Sequence, residues 1–439
     1  MLSSGNTTSP YCRAVSKNSQ LLYRNRDDYT RILQIMITEL LIFLMIIFCS
    51  CGRKSTDDTS NADSIIEIDL LSEPGSYVKK LSGFAANIEY IPLQTVESSL
   101  MDGFIRKIVI KDKRIYISNA KNIMCFDTEG KFLFKLDNEG RGPGEYTVIF
   151  DFDISSDNKF LIIPNYSKLL IYGISNTGFT FQRSLTLKDP VLYKARIVPE
   201  TDNVFLPIPP WRGTEQTLSL LINTFGDTIH FKPNGYKYKM VRQKGGEGLD
   251  EMQVYSIGKM VCFKEEFSDT VFYVDAKDNS FKPRMILNSH GTIVTPETRG
   301  GSEVSEKVRI SVNNIFETSR YVFYLCYIRD NQNRILENRI LFDKKTKTKY
   351  KLDIESGNSE LKDDLSGGPD FNIHYFNFFC SGGKLFSLVE AITLKKYVAG
   401  EDFKNAEVSD LEKKNELKKL VDSLNETDNP VLIVLTPKN

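Results

Sequence analysis

The side chains able to do chemistry are few and scattered. Histidine occurs three times in 439 residues, as His230, His290 and His374. Gathered at one point, three imidazoles would make the protein half of a catalytic metal centre that keeps an open coordination position. Their settings argue against it: Thr228-Ile229-His230-Phe231 alternates like a strand, and Ser289-His290-Gly291 reads as a turn. Asp151 and Asp153 alternate in Phe150-Asp151-Phe152-Asp153-Ile154, which puts both carboxylates on one face of a strand, as an acid–base pair or as a solvated edge. The run Lys244-Gly245-Gly246-Glu247-Gly248 lacks the strand-then-helix setting of a phosphate loop. Neither a Gly-x-Ser-x-Gly elbow nor a P-loop signature occurs.

Two loops stand out as candidate binding elements. In Gly140-Arg141-Gly142-Pro143-Gly144-Glu145-Tyr146, three glycines and a proline mark a tight corner. Either Glu145 accepts backbone amides and the corner is a joint, or Arg141, Glu145 and Tyr146 project toward a ligand. The second loop, Pro207-Ile208-Pro209-Pro210-Trp211-Arg212-Gly213, carries the one tryptophan of the chain. Trp211 beside Arg212 on a stiff loop suits stacking against a sugar or peptide, and it equally suits a plug between strands.

The elements that must position these residues are short strands. Residues 105–136 read as four strands joined by turns at Lys111-Asp112-Lys113 and Thr128-Glu129-Gly130. The same four-strand grammar returns at 150–185, 195–231, 253–287, 313–352 and 372–389. Units of four strands repeating every 40 to 60 residues or so predict an all-β fold, a six-bladed β-propeller of four-stranded blades. Ser409-Asp410-Leu411-Glu412 is a capping box, and Leu417, Leu420, Val421 and Leu424 follow at helical spacing, which gives one C-terminal amphipathic helix packed outside the ring. The strand Val431–Leu435 closes the chain, with Ile65–Leu70 and Ile88–Pro92 as candidates to pair with it and seal the ring.

Composition sets the address. The 57 basic and 57 acidic residues cancel, which gives no footprint for nucleic acid. Residues 1–50 hold an N-terminal extension and then a signal peptide, with Arg24, Arg26 and Arg31 before an apolar core at Leu40–Phe48. Met36 then lies nearer the start of a conventional precursor. Residues 51–64 are rich in Ser, Thr, Asp and Asn, the composition of a flexible tether, and 65–439 form the propeller with its C-terminal helix and closing strand. Cys125, Cys262, Cys326 and Cys380 sit singly in apolar runs and are expected as buried free thiols.

Phe48-Cys49-Ser50-Cys51-Gly52 resembles the lipobox of bacterial lipoproteins, which implies that Cys51 carries the lipid. The corner Gly140–Tyr146 resembles the G-x-G-P-G-E-Y motif of six-bladed β-propeller lipoproteins of diderm bacteria, relatives of NHL-repeat propellers. That resemblance spans about Ile65 to the C-terminus and implies fold and envelope location; it carries over no catalytic residue. The expected protein is a lipid-anchored monomer of the cell envelope, on the outer membrane and facing periplasm or surface, acting as a binding or scaffolding module for a glycan or protein partner. The alternative is an envelope hydrolase or lyase. No cofactor is expected, with Ca or Zn in the central channel left open under that alternative.

Overall fold

A computed structural model describes residues 65–187, 191–240, 251–300, 308–330, 332, 334–352, 360–373 and 379–439. Cys51, the segments read from the sequence as signal peptide and tether, Lys244–Gly248 and His374 lie outside the described residues. Six sheets, each built on four antiparallel strands, form a six-bladed propeller. The first five blades follow the chain, over 107–136, 153–186, 196–233, 253–288 and 309–352.

The sixth blade is assembled from both ends of the chain. Phe379–Ser381, Lys384–Val389 and Val431–Pro437 supply its inner three strands, and Ala85–Pro92 supplies the outermost. Val431–Pro437 runs antiparallel to Ala85–Pro92, with Val431 opposite Pro92 and Leu435 opposite Ile88. Of the two candidates for closure, Ile88–Pro92 therefore does the work. Ile66–Asp69 instead adds as a fifth, parallel strand to the outer edge of blade 4, and Ser76–Val78 does the same on blade 5. Blades 4 and 5 thus have five strands where four were expected. Parallel addition covers outer edges that would otherwise leave unpaired backbone groups in solvent.

Why the strands read as they do follows from blade stacking. A middle strand is covered on both faces, so Arg114–Ser118 and Ile123–Asp127 are buried almost throughout. An outermost strand meets water, so Phe179–Thr186 alternates and is mostly exposed. Tight turns are served by Asp112 and Asn158, both at positive φ, the region that Asp and Asn tolerate better than other side-chain-bearing residues. The apolar cores lie between neighbouring blades. Tyr116, Cys125 and Phe134 of blade 1 pack with Leu161, Ile163 and Tyr172 of blade 2. Ile115 and Ile117 on the other side of blade 1 meet Phe386, Leu432 and Val434 of blade 6. Cys125, Cys262 and Cys326 are buried free thiols, and Cys380 is a free thiol of intermediate exposure.

Helical structure at the C-terminal end is richer than one helix. Ala391–Ala399, Glu401–Asn405 and Leu411–Asp422 all lie between the second and third strands of blade 6. Asp410 caps the last of them, its side chain accepting from the Lys413 amide at 3.1 Å. Leu394, Val398, Phe403, Leu417 and Val421 pack on Val431, with Tyr90 and Val389 beside them. The helices therefore form one connection within blade 6 and pack against its second, third and outermost strands, with the Lys413 ammonium donating to the Ile88 carbonyl at 3.3 Å. Sequence periodicity finds the long helix but cannot reveal that it is an insertion into a strand connection.

Closure by the two chain ends sets a test. Leu435 is fully buried in the seam. Leu435→Ala is expected to cost about 2–5 kcal/mol in denaturant unfolding. Leu411→Ala, at a site 66% exposed, is expected to stay within about 0.5 kcal/mol. Equal effects would contradict a packed seam.

Candidate functional site

In an antiparallel four-stranded blade, the connection from each blade to the next emerges on the same face as the turn between strands two and three. One face of the propeller therefore gathers the corner at 138–146, the Trp211 loop, the turn after Lys264 and the blade 6 helices. This loop face is where the candidate residues can meet.

The glycine corner is closed upon itself. Gly140 donates to the Tyr146 carbonyl at 2.9 Å, and the Tyr146 amide donates to Asn138 at 3.2 Å. The Glu145 carboxylate accepts from the Gly142 amide at 2.7 Å. Tyr146 is fully buried, with its hydroxyl donating to the Lys121 carbonyl at 2.8 Å and accepting from the Asn138 amide at 3.0 Å. Gly144 has φ +74°, and a Cβ there would stand 2.5 Å from the Phe181 ring. Those bonds hold the corner to blade 1, and the Tyr172 hydroxyl of blade 2 donates to the Gly144 carbonyl at 2.6 Å, which ties the two blades together. Arg141 and Glu145 remain exposed, whereas Tyr146 presents no surface.

Asp151 and Asp153 are not a solvated edge. Both are buried, at 5% and 8% exposure, and both link blades. Asp151 bonds Lys107 of blade 1 at 2.7 Å and pairs closely with Arg196 of blade 3. The Ala195 amide donates to the same carboxylate at 3.1 Å, and Ile197 donates to Asp153 at 2.9 Å. Burial would raise the Asp151 carboxyl, but Arg196 and then Lys107 outweigh it and bring it down to about 2. Three blades are thus fastened at the start of their innermost strands.

Beside this fastening runs an arc of aromatic rings. Phe150 meets Tyr193 edge-on at 5.0 Å and Tyr166 at 6.1 Å, and Tyr166 meets Tyr193 at 5.8 Å. Tyr193 in turn meets Trp211 at 4.6 Å. At the other end, the Arg106 guanidinium lies 5.7 Å from the Phe104 ring and 5.9 Å from Phe150. Trp211 is only 5% exposed, whereas Phe104 and Tyr166 are 44% and 42% exposed. Tyr166 is held at φ +55°, a costly backbone for an aromatic residue, in a turn between two strands of blade 2. Arg212 is exposed on the Trp211 loop, its amide donating to Glu215 at 2.8 Å.

A group of partly buried ionisable residues lies beyond the arc, with Lys264 buried among them. The Tyr238 hydroxyl donates to the Trp211 carbonyl at 3.0 Å, and Arg299 pairs with Glu251 at 2.5 Å. Burial, and then the nearby Glu251, push the Glu266 carboxyl up to about 8. Burial brings the Lys264 amine down to about 8, with the Glu265 carbonyl accepting its hydrogen bond at 2.9 Å.

Neither of the two described histidines lies on an innermost strand. His230 lies on the outermost strand of blade 3, against Phe281 at 4.7 Å. His290 lies beside Asp69 on the outer edge of blade 4, at 3.2 Å. Among the described residues no three His, Cys, Asp or Glu side chains cluster in a way that could hold a metal ion. Sequence reading singled out Trp211, Arg212 and the corner as candidates and did not single out Phe104, Arg106, Tyr166 and Tyr193, which the structure groups with Trp211. Arg106-Lys107 opening an apolar strand was the available signal.

Asp151 supplies the prediction from this geometry. Its folded carboxyl is depressed, so its contribution is full above the ordinary Asp range and is lost as pH falls from about 4 toward 2. Asp151→Ala leaves Lys107 and Arg196 buried without their carboxylate, and is expected to lose about 3–5 kcal/mol at pH 7. Unchanged stability at pH 7 would contradict the fastening role.

Comparisons with known proteins agree with the architecture. No curated protein matches the sequence. A Bacteroides fragilis protein, described by inference as exported, has a solved structure that superposes with a TM-score of 0.57 at 19% identity, covering 86% of this chain and 100% of that one. The WD40 repeats of RRP9 superpose with a TM-score of 0.41 at 10% identity, covering 83% of this chain and 100% of theirs. At such identities the first likeness is one of fold. A family model described as domain of unknown function DUF4934 matches residues 65–436, and the chain belongs to that family.

Proposed function

We propose that this protein is a lipid-anchored propeller of the cell envelope, a relative of NHL-like propeller lipoproteins, whose loop face binds a glycan or peptide as a monomeric binding or scaffolding module. The observation that carries the reading is the aromatic arc. Phe104 and Tyr166 stand half in solvent, and Tyr166 is held there on a strained backbone. Exposed aromatics grouped on a rigid scaffold mark recognition surfaces. Arg141, Glu145 and Arg212 extend the same face with exposed side chains, and Trp211 supports the arc from beneath.

Envelope location is supported by the apolar segment and Cys51 of the sequence, and by the exported description of the Bacteroides fragilis neighbour. Binding, not catalysis, is favoured because the charged groups where the innermost strands begin, Lys107, Asp151 and Arg196, are engaged with one another across three blades. The reading assigns no cofactor and no nucleic-acid partner.

Two measurements test the proposal. Cys51→Ala should move the protein from the membrane to the soluble fraction and abolish labelling by a fatty-acid probe; retained labelling would refute the anchor. Trp211, the one tryptophan, reports on the arc through Tyr193. A panel of envelope glycans and peptides should contain a ligand that shifts its emission in wild type and not in Tyr166→Asn, which keeps the left-handed backbone but removes the ring. Silence across the panel would sink the binding reading.

A further inference from the structure

The most unusual group on the loop face is the Arg106 guanidinium. It is partly buried, yet among the described residues its side chain makes no hydrogen bond or ion pair, and its Nε is sealed from solvent without an acceptor. The backbone of the residue is normally engaged, its amide donating to Ser118 at 2.8 Å. Asp102, the acidic residue nearest in sequence, takes its hydrogen bond from Asn119 instead, at 3.1 Å. Other cations nearby are paired: Lys107 and Arg196 share Asp151. A buried donor without an acceptor is unfavourable and calls for an explanation. The rings of Phe104 and Phe150 hold the cation by their faces, and the two Nη groups, the end of the fork at which an anion binds, have no acceptor among the described residues.

We propose that the mouth formed by Phe104, Arg106, Phe150 and Tyr166 binds an acidic sugar. Its carboxylate or sulfate sits on the Arg106 fork, and its pyranose ring lies against the exposed rings of Phe104 and Tyr166. This rests on the reading of the loop face as a binding surface, and names the ligand class. The planar fork matches a carboxylate or sulfate in two-point contact, which a lysine could not reproduce. Phe104 lies beside that fork, and Tyr166 follows one ring further along through Phe150, so the two exposed rings offer apolar faces to the C–H side of a sugar. An acidic peptide would satisfy Arg106 but would have no such use for exposed aromatic faces grouped with one cation.

The test is calorimetry on the detergent-solubilised full chain. The acidic probes are a hexameric oligogalacturonate and a heparin-derived hexasaccharide. The controls are the methyl-esterified and desulfated counterparts and hexaglutamate. One acidic sugar should bind at least tenfold more tightly than its neutral counterpart and than hexaglutamate, and the arm that binds tells carboxylate from sulfate. Arg106→Gln should abolish the tenfold preference, and Tyr166→Asn should weaken both acidic and neutral forms, with circular dichroism showing each variant folded. Equal binding of acidic and neutral sugar, or a preference that survives Arg106→Gln, would overturn the acidic-sugar assignment while leaving the binding face in place. Hexaglutamate binding as tightly as the sugars would make the ligand a peptide. No binding by any probe, with no response of Trp211 across the wider panel, would overturn both.

Discussion

Antiparallel pairing of Ala85–Pro92 with Val431–Pro437 is the constraint on which the rest of the molecule depends. A ring of blades has no centre until its last sheet is complete, and that sheet takes strands from opposite ends of the propeller sequence. Loop-closure entropy grows only by about 0.6 kcal/mol per doubling of chain length. Closing so long a chain is therefore little harder than closing half of it, provided the seam is well packed. Val431–Leu435 is buried throughout, and Phe386, Leu432 and Val434 pack on to blade 1. The same N-terminal segment that seals blade 6 first lies along the edges of blades 5 and 4, where Ser76–Val78 and Ile66–Asp69 pair in parallel.

Closure fixes where the innermost strands begin, and that is where charge is concentrated. Lys107, Asp151 and Arg196 belong to three successive blades and bond only because the ring sets their spacing. Burial makes the arrangement costly to break, since each cation would be left in a low-dielectric wall. Above it, the interblade connections hold the aromatic arc and Arg106. A rigid ring with an adaptable set of loops on one face is the usual division of labour between scaffold and recognition. Helices inserted into blade 6 occupy the same end of the molecule and cover the ends of its strands.

Much of the fold is legible in the sequence because each blade repeats one pattern of short apolar runs and turn residues. The glycine corner is legible too, and its chemistry is now explained: Gly140 and Gly142 give room to the Glu145 carboxylate, and Gly144 passes under Phe181. What escaped were relations between distant segments. Ile66–Asp69 and Ile88–Pro92 look alike as strands, and only the register of the finished ring tells an edge cover from a seam. Asp151 and Asp153 look like an exposed edge because alternation cannot show that a neighbouring blade presents Arg196 and the Ile197 amide. Phe104, Phe150, Tyr166 and Tyr193 come from three interblade connections and one turn within blade 2, so no local pattern could unite them.

Native-state amide hydrogen exchange tests the central claim most directly. If the seam holds the ring, the amides of Leu432–Leu435 will exchange only through global unfolding, with the same opening free energy as Ile115–Ile117 in blade 1. Exchange of the seam through a separate, lower-energy opening, while blade 1 stays protected, would show that the ring does not depend on it.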